Sequence, residues 1–335
     1  MLAGLLAGCG DDGERDAPWV RVEDDALDGI NIRSTWGVGE EVWGIGRRFD
    51  FTIPVVVHSD GTRWEVLSGG EDPPESSYSL WATASEDVWL VGEGLLWHWN
   101  GAAWSPVDLS SALGGTTGQV RSVWGTAPDD MWISVDLDEG DDIALRYDGA
   151  SWQMMFAVPI EWEYEDDEPH IGPGCSVSRN EVWVLVSQGG GSERTPTMFR
   201  WDGVDWEMLA GAGYEPFCAA GQVWVFWRVS DLGGAVASRN GGDSWNRFVR
   251  FDEDSGVKFA GLWAGNDGDG WIVGSQYDDE FDEWLQIWRI SGDEVSPTLD
   301  LGWFRGAGGA IWQTESGHVL AFGSDGLVFQ YTGAE

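Results

Sequence analysis

Carboxylates in two short segments are the residues of this sequence best suited to hold a ligand. One segment contains Asp136, Asp138 and Asp141, and the other contains Asp267 and Asp269. Alternating hard oxygen ligands beside glycines suit Ca²⁺. Neither segment matches the twelve-residue, helix-flanked calcium loop, so the simpler interpretation is a solvated turn. We therefore expect no metal site and no cofactor, and keep calcium as the alternative.

Other residue types give little indication of catalysis. None of the usual metal-ligand spacings links the four histidines, His58, His98, His170 and His318. The sequence has no Gly-x-Ser-x-Gly elbow, no phosphate-binding glycine loop and no Cys-x-x-Cys pair. With 58 Asp and Glu residues, no pair of carboxylates stands out for glycoside hydrolysis. We expect no catalytic residues and no enzymatic activity.

These residues lie between short apolar segments that repeat along the whole chain. A Trp occupies one position of the second predicted strand in six copies, and Leu320 takes its place in a seventh. The six are Trp43, Trp89, Trp132, Trp183, Trp224 and Trp271. Their spacing of roughly 41 to 51 residues matches the four-stranded propeller blade rather than helical or leucine-rich repeats.

Residues 120–152 show what one copy contains. Four short runs rich in β-branched and aromatic residues alternate with turn residues, which predicts four antiparallel strands. Asp148 and Gly149 join the last two runs, and such a pair suits a tight hairpin in which both residues have positive φ. Second strands such as residues 88–91 are apolar on both faces, as expected for sheets packed face to face.

The last copy has three predicted strands, and an isolated strand near the start of the chain supplies a fourth. Residues 19–22 carry a Trp where a fourth strand has one. An unpaired sheet edge exposes backbone donors and acceptors, so we expect this strand to complete the last blade. The prediction is an all-β fold, a seven-bladed β-propeller of four-stranded antiparallel blades over residues 19–335, with residues 1–18 outside it.

Cys175 and Cys218 occupy or adjoin the first-strand position that holds a Trp in five other copies. Two such cysteines in an exported protein suggest a disulfide, but equivalent points on neighbouring blades can lie beyond the Cα separation of about 4.4 to 6.8 Å that the bond requires. We therefore expect two small buried side chains in the place of a Trp, with the disulfide as the alternative. We expect the five first-strand Trp residues to wedge between blades, with stacking on sugar rings at the mouth as the alternative; they are Trp36, Trp81, Trp124, Trp263 and Trp312.

The charge of the chain is strongly one-sided. There are 58 Asp and Glu residues against 18 Lys and Arg, a formal net charge of −40. Such a surface repels phosphate backbones, so we exclude nucleic acid as a partner and expect no direct binding of anionic lipid headgroups. Solubility is the simplest role for this charge.

Residues 6–9, Leu-Ala-Gly-Cys, resemble a bacterial lipobox, in which the Cys is released from a signal peptide and lipidated. Upstream there is no Lys or Arg and the apolar run is short, so the alternative is an apolar tip without an anchoring role. The polar residues 10–18 would serve as a linker. The resemblance implies lipidation of Cys9, export, and an outer-membrane lipoprotein facing the periplasm or the cell surface.

The rest of the chain resembles two kinds of propeller repeat. Residues 238–245, Ser-Arg-Asn-Gly-Gly-Asp-Ser-Trp, resemble the Asp-box hairpin of sialidase-like propellers, with Asn240 in place of the Asp. The pattern Trp-Gly, Asp-Asp-Val-Trp and Tyr-Asp-Gly-x-x-Trp is similar to the Trp-rich kelch-like repeats of bacterial surface lipoproteins. These resemblances imply a fold but no activity, because the hairpins recur in proteins of unrelated function.

Binding is the function that these observations favour, since loops from every blade surround one mouth and form a rigid platform for a protein or glycan partner. Aromatic residues that break the repeat are candidate contacts, with packing of a long loop as the alternative. They are Trp162, Tyr164, Phe281 and Trp284. We expect a non-catalytic binding or scaffolding lipoprotein of the cell envelope. The alternatives are a carbohydrate-binding or glycoside-hydrolysing, sialidase-like propeller, and an outer-membrane protein assembly factor.

Overall fold

Every regular element that the computed structural model describes is a β-strand. The described residues are 18–48, 54–67, 77–158, 169–188, 195–209, 214–219, 221–229, 233–239, 246–250, 257–265, 269–277, 283–292, 294–298, 308–324 and 326–332. Within these ranges there is no helix, and hence none long and apolar enough to cross a bilayer.

The described strands form seven four-stranded sheets, numbered here in chain order. Sheet 1 contains β2 (Ile30–Val38), β3 (Glu41–Arg48), β4 (Pro54–Ser59) and β5 (Trp64–Leu67). Sheet 2 contains β6 (Ser77–Ala84), β7 (Asp87–Gly92), β8 (Leu95–Trp99) and β9 (Trp104–Pro106). Sheet 3 contains β10 (Gly118–Ala127), β11 (Asp130–Leu137), β12 (Ile143–Tyr147) and β13 (Trp152–Ala157).

Sheets 4 to 7 repeat the pattern. Sheet 4 contains β14 (His170–Ser178), β15 (Glu181–Gln188), β16 (Thr195–Trp201) and β17 (Trp206–Leu209). Sheet 5 contains β18 (Tyr214–Ala219), β19 (Gln222–Val229), β20 (Gly233–Arg239) and β21 (Asn246–Arg250). Sheet 6 contains β22 (Val257–Ala264), β23 (Gly270–Tyr277), β24 (Glu283–Ser291) and β25 (Glu294–Pro297). Sheet 7 contains β26 (Gly308–Gln313), β27 (Val319–Gly323), β28 (Val328–Tyr331) and β1 (Trp19–Arg21).

The N-terminal strand completes sheet 7, which is the arrangement predicted from the isolated strand in the sequence. β1 pairs antiparallel with β28, and Trp19 lies opposite Tyr331. The Trp19 indole donates a hydrogen bond to Thr298 Oγ1 of sheet 6 at 3.1 Å and packs edge-on against Trp271. The first and last parts of the chain are therefore joined in one sheet, and that sheet is fastened to its neighbour.

The seven sheets form a closed circle of contacts. The innermost strand is the first strand in chain order in sheets 1 to 6 and β26 in sheet 7, and we call these seven the first strands. Each first strand packs against the first strand of the next sheet, and β26 packs against both β22 and β2. A second link spans sheets 7 and 1, because Ser316 donates hydrogen bonds from its backbone N and its Oγ to the Glu40 carboxylate, both at 2.6 Å. These bonds lower the pKa of Glu40.

The apolar cores lie between neighbouring sheets, because the second strands are buried on both faces. Leu90 and Val91 of β7 are fully buried although they point in opposite directions. Val91 belongs to a core shared with sheet 3, whereas Leu90 belongs to one shared with sheet 1. Burying one such side chain contributes about 1.5 to 3 kcal/mol, so face-to-face packing of the sheets supplies most of the stabilisation.

The turn between the third and fourth strands differs from the tight hairpin that the sequence predicts. Gly149 has a φ of 91°, but Asp148 is not in the positive-φ region. Asp148 Oδ1 instead accepts hydrogen bonds from the N–H groups of Ala150 and Ser151 at 2.9 and 2.8 Å. The prediction of two positive-φ residues is wrong, because the Asp side chain satisfies the turn and allows a wider loop. Asp60, Asn100 and Asp202 do the same in sheets 1, 2 and 4.

Candidate functional site

Two of the five first-strand Trp side chains, Trp81 and Trp124, wedge between sheets, as predicted. Trp81 and Trp124 are almost completely buried. A Cβ placed on Gly125 of sheet 3 would lie 2.8 Å from Trp81 Cζ2, and one on Gly174 of sheet 4 would lie 2.6 Å from Trp124 Cζ2. Each indole thus occupies space that only a glycine of the next sheet leaves open.

A cavity of about 1350 Å³ opens where the first strands end, and we call it the mouth. The ends of the first strands of sheets 1, 2, 3, 6 and 7 form its wall. Trp36, Trp81, Trp263 and Trp312 line it, as do the polar Glu315 and His318 of the turn of residues 314–318. Sequence reasoning missed this turn, since nothing in the repeat marks one turn as lining the mouth.

A second cavity of about 460 Å³ lies along the axis, and we call it the tunnel. The first strands of all seven sheets line it. Trp36, Trp263 and Trp312 line both the tunnel and the mouth, so these three half-buried indoles stand where the two cavities meet. Because the tunnel wall is a ring of strand backbones, its width follows from the number of sheets in the ring.

Five sheets contain a three-residue arrangement that we call the clamp. In each clamp, an acidic residue at the start of the second strand pairs with a cationic or imidazole side chain on the third strand, and that side chain lies over the second-strand Trp. The clamps are Glu41–His58–Trp43, Asp87–His98–Trp89, Asp130–Arg146–Trp132, Glu181–Arg200–Trp183 and Asp269–Arg289–Trp271.

The clamp of sheet 3 shows the chemistry most clearly. Asp130 is completely buried, its Oδ1 accepts a hydrogen bond from Arg146 Nε at 2.8 Å, and Arg146 Nη2 lies 2.7 Å from the same oxygen in an ion pair. The guanidinium carbon lies 5.5 Å from the centre of the Trp132 ring, within range of a cation–π interaction. A buried carboxylate requires such a partner, because an unpaired charge is costly away from water.

Hydrogen bonds also favour the ionised form of Asp87 in the clamp of sheet 2. Burial acts to raise the pKa of Asp87, but hydrogen bonds from His98, Thr83 and Trp89 outweigh it and lower that pKa below its usual value. Because every clamp closes within its own sheet, Arg146, Arg200 and Arg289 do not converge on the axis. They do not form the arginine cluster that a sialidase-like site would need.

A sequence signal for the clamps exists. The acidic residue stands two positions before the second-strand Trp in all five sheets that have a clamp. In sheet 5, where Gln222 takes the position of the acid, Ser238 lies opposite Trp224. In sheet 7, His318 takes that position and Gln330 lies opposite Leu320. The acid and the cation are therefore present together or absent together.

The candidate calcium ligands of sheet 3 are not grouped together. Asp136 Oδ2 accepts a hydrogen bond from Arg121 Nε at 3.0 Å, Asp138 accepts one from Thr117 at 2.5 Å, and Asp141 is exposed. Asp136 lies on β11, whereas Asp138 and Asp141 lie in the loop that follows it. Of the second candidate segment, Asp267 lies outside the described residues and Asp269 belongs to a clamp.

A different group in the described residues brings possible ligand atoms together. Single ligand atoms of Asp136, Asp142 and His170 lie within 4.8 Å of one another. Asp142 is buried, accepts a hydrogen bond from the Ile171 N–H at 2.9 Å, and lies 3.6 Å from His170 Nδ1. Burial raises its pKa, and the neighbouring Asp136 carboxylate raises it further. Sequence reasoning missed this group because His170 belongs to the next sheet.

Cys175 and Cys218 form a disulfide between sheets 4 and 5. The S–S distance is 2.10 Å and the Cα atoms are 5.3 Å apart. The expectation of two unbonded side chains is wrong; it was made because equivalent points on neighbouring blades diverge with distance from the axis. Both cysteines lie on first strands, where the sheets approach one another most closely, and that position brings them within bonding range.

The remaining predicted site residues are only partly described. Trp284 lies on β24 and packs against the apolar core shared by sheets 6 and 7, which agrees with the packing alternative. Trp162, Tyr164, Phe281 and Cys9 lie outside the described residues, as do residues 240–245 of the Asp-box-like segment. Their predicted roles stay predictions.

No protein-family model matches the chain, and no curated protein matches it in sequence. Among solved structures, it is similar to YCF48 bound to D1 peptide, with 15% identity, a TM-score of 0.61 and coverage of 95% of this chain and 97% of that one. A streptogramin B lyase matches with 11% identity, a TM-score of 0.59 and coverage of 93% and 96%.

The WD40 β-propeller domain of Doa1 matches with 15% identity, a TM-score of 0.50 and coverage of 92% and 95%. At such low identities, a structural likeness shows the fold and not the activity. Together with the ring of antiparallel four-stranded sheets, these likenesses show that the chain is a β-propeller.

Proposed function

We propose that this chain is a seven-bladed β-propeller that binds a protein or glycan partner at its mouth without catalysing a reaction. Residues 19–335 form the propeller in this proposal, and residues 1–18 are a lipoprotein leader and linker. Cys9 carries the lipid, and the protein is exported to the outer membrane, facing the periplasm or the cell surface. The lipobox-like residues 6–9 support the anchor.

The mouth is the observation that carries the binding proposal. Its volume of about 1350 Å³ exceeds the range of about 300 to 1,000 Å³ that is usual for small-molecule pockets. Its wall combines residues at the ends of strands with the half-buried Trp36, Trp263 and Trp312. This combination suits an extended polymer segment, and the peptide bound to the structurally similar YCF48 supports a polypeptide as the partner.

The clamps support a non-catalytic role. Charged groups that do chemistry converge on one point, but the clamp side chains form pairs within single sheets around the ring. They therefore serve the stability of each sheet. The fold likeness to a streptogramin B lyase does not alter this conclusion, because propeller folds support many unrelated functions.

The experiment is a binding screen of the full chain against an array of extended peptides and an array of glycans. We expect a defined set of ligands whose Kd rises at least tenfold in the double variant Glu315→Ala/His318→Ala, which alters two exposed side chains of the mouth. The matched control, Asp138→Ala/Glu139→Ala, alters two exposed residues of the loop between β11 and β12 and should leave Kd unchanged. Ligands that respond only to the control variant would contradict the proposal.

Carbohydrate binding is the second candidate, since several indoles line the mouth and the faces of aromatic rings stack on sugar rings. Binding to one sugar class would favour a glycan over a polypeptide partner if Trp263→Phe weakens that binding more than Glu315→Ala/His318→Ala does. Release of reducing sugar from a bound glycan would turn the candidate into a glycoside hydrolase. The role in outer-membrane protein assembly rests on the fold alone.

The anchor has its own test. The full chain and its Cys9→Ser variant are expressed in a Gram-negative host that is fed an alkyne fatty acid. We expect the label on the unaltered chain only, together with its recovery in the outer-membrane fraction. Equal labelling and equal membrane recovery of the two forms would contradict lipidation at Cys9.

A further inference from the structure

The chain enters the propeller at the rim of the mouth. The Pro18 carbonyl accepts a hydrogen bond from the Thr332 N–H at 2.6 Å, and Trp19 lies opposite Tyr331. Tyr331 and Thr332 both line the mouth. β1 then runs away from the mouth, since Arg21 lies opposite Phe329 and the Val22 N–H bonds to the Val328 carbonyl. Pro18, the first described residue, therefore lies at the mouth side of the ring.

The opposite side of the ring, which we call the far face, carries the beginnings of the first strands. β22 begins at Val257 and ends at Ala264, and Ala264 lines the mouth. Lys258, the single lysine of the chain, therefore lies toward the far face. The loop of residues 138–142 joins the end of β11 to the start of β12 on the same side.

The distance from Cys9 to the ring limits how the protein can sit on a membrane. Nine residue steps from Cys9 to Pro18 reach at most about 30 to 32 Å. A strand of eight residues, such as β23, is about 26 Å long. Placing the far face on the lipid would require an almost fully extended segment along the whole side wall, whereas placing the mouth on the lipid would not.

We infer that anchorage through Cys9 turns the mouth toward the membrane and directs the far face to the solvent. A partner in the mouth must then lie within about 30 Å of the lipid surface. This inference rests on the proposed lipid anchor. The test attaches a lipid to Cys9 chemically, so that the orientation and the natural lipidation can fail separately.

The test measures energy transfer from the protein to acceptor lipids. The disulfide leaves Cys9 as the one remaining thiol among the three cysteines of the full chain, so it can be coupled to a maleimide lipid in phosphatidylcholine vesicles that contain a rhodamine lipid. An amine-reactive donor labels Lys258 in the natural chain. In the variant Arg63→Lys/Lys258→Arg, it labels position 63, an exposed residue of the β4–β5 turn beside the mouth-side Glu40. The variant Lys258→Arg reports the contribution of the N-terminal amine.

After subtraction of that contribution, we expect at least twofold more transfer from position 63 than from position 258. Equal transfer, or more transfer from Lys258, would overturn the inference. Because the coupling does not depend on cellular lipidation, a negative labelling result for Cys9 in cells leaves this measurement intact and affects the proposed anchor alone.

Discussion

Sheets 2 and 3 are joined by an indole, whereas sheets 4 and 5 are joined by a covalent bond near the same position of the repeat. Trp81 fills the first joint by packing on Gly125. Cys175 and Cys218 close the second with a Cα separation of 5.3 Å. A small Cys side chain cannot fill the volume of an indole, so a bond substitutes for buried area. Each joint of the ring must be closed, but different forces can close it.

The largest effect should follow from emptying an indole joint. We expect Trp81→Ala to destabilise the protein by about 3 to 5 kcal/mol, because it removes a buried ring and leaves a cavity between two sheets. Chemical denaturation followed by circular dichroism measures the loss. Trp99→Ala, at a half-buried position on the third strand of the same sheet, is the control and should cost clearly less. Equal losses would show that the joint has no special role.

Breaking the covalent joint should cost less. We expect Cys175→Ser/Cys218→Ser to destabilise the protein by about 2 to 4 kcal/mol, since the bond closes a long loop in the unfolded chain. A reductant should lower the denaturation midpoint of the natural protein and leave that of the double variant unchanged. If the reductant has no effect on the natural protein, the disulfide does not hold this joint.

Adding a methyl group beside a buried indole should destabilise the protein less than removing the indole does. Gly125→Ala places a Cβ 2.8 Å from Trp81 and 2.6 Å from the Asp130 carbonyl, and such overpacking costs about 1 to 3 kcal/mol. Gly172→Ala, on the first strand of sheet 4, is the matched control, because the nearest atom to its Cβ would be the Leu185 carbonyl oxygen at 3.5 Å. Indistinguishable denaturation midpoints for the two variants would mean that the indole does not need the glycine.

The smallest change in stability should come from pH, which acts on the clamps. The pKa of Asp87 is lowered in the folded protein, so its stabilising contribution is present above the ordinary value near 3.8 and is lost as pH falls through the folded value. The partly exposed pair contributes about 1 kcal/mol or less. Asp87→Asn should therefore flatten the dependence of stability on pH in the acid range below the ordinary carboxyl pKa near 3.8. If the variant shows the same dependence of stability on pH, the clamp of sheet 2 does not contribute to that dependence.

Local patterns predicted the sheets well, because strand alternation and turn chemistry act over a few residues. The second-strand Trp residues located every sheet but the last, and the strand at residues 19–22 was placed correctly. The clamps were also within reach, since an acid two positions before Trp132 accompanies Arg146 on the next strand. The geometry of the loops could not be predicted from the sequence. Asp138 and Asp141 do not form a calcium site because a bending loop separates neighbouring side chains.

The sequence by itself determined a chain of antiparallel four-stranded sheets with an N-terminal strand available to complete the last one, because hydrogen-bonded hairpins depend on neighbouring residues. Only the tertiary structure decided which glycine receives each indole, that Cys175 reaches Cys218, and where the mouth opens. Those features depend on how closely the first strands approach around the axis. That distance arises from packing all the sheets into one ring, which no single repeat encodes.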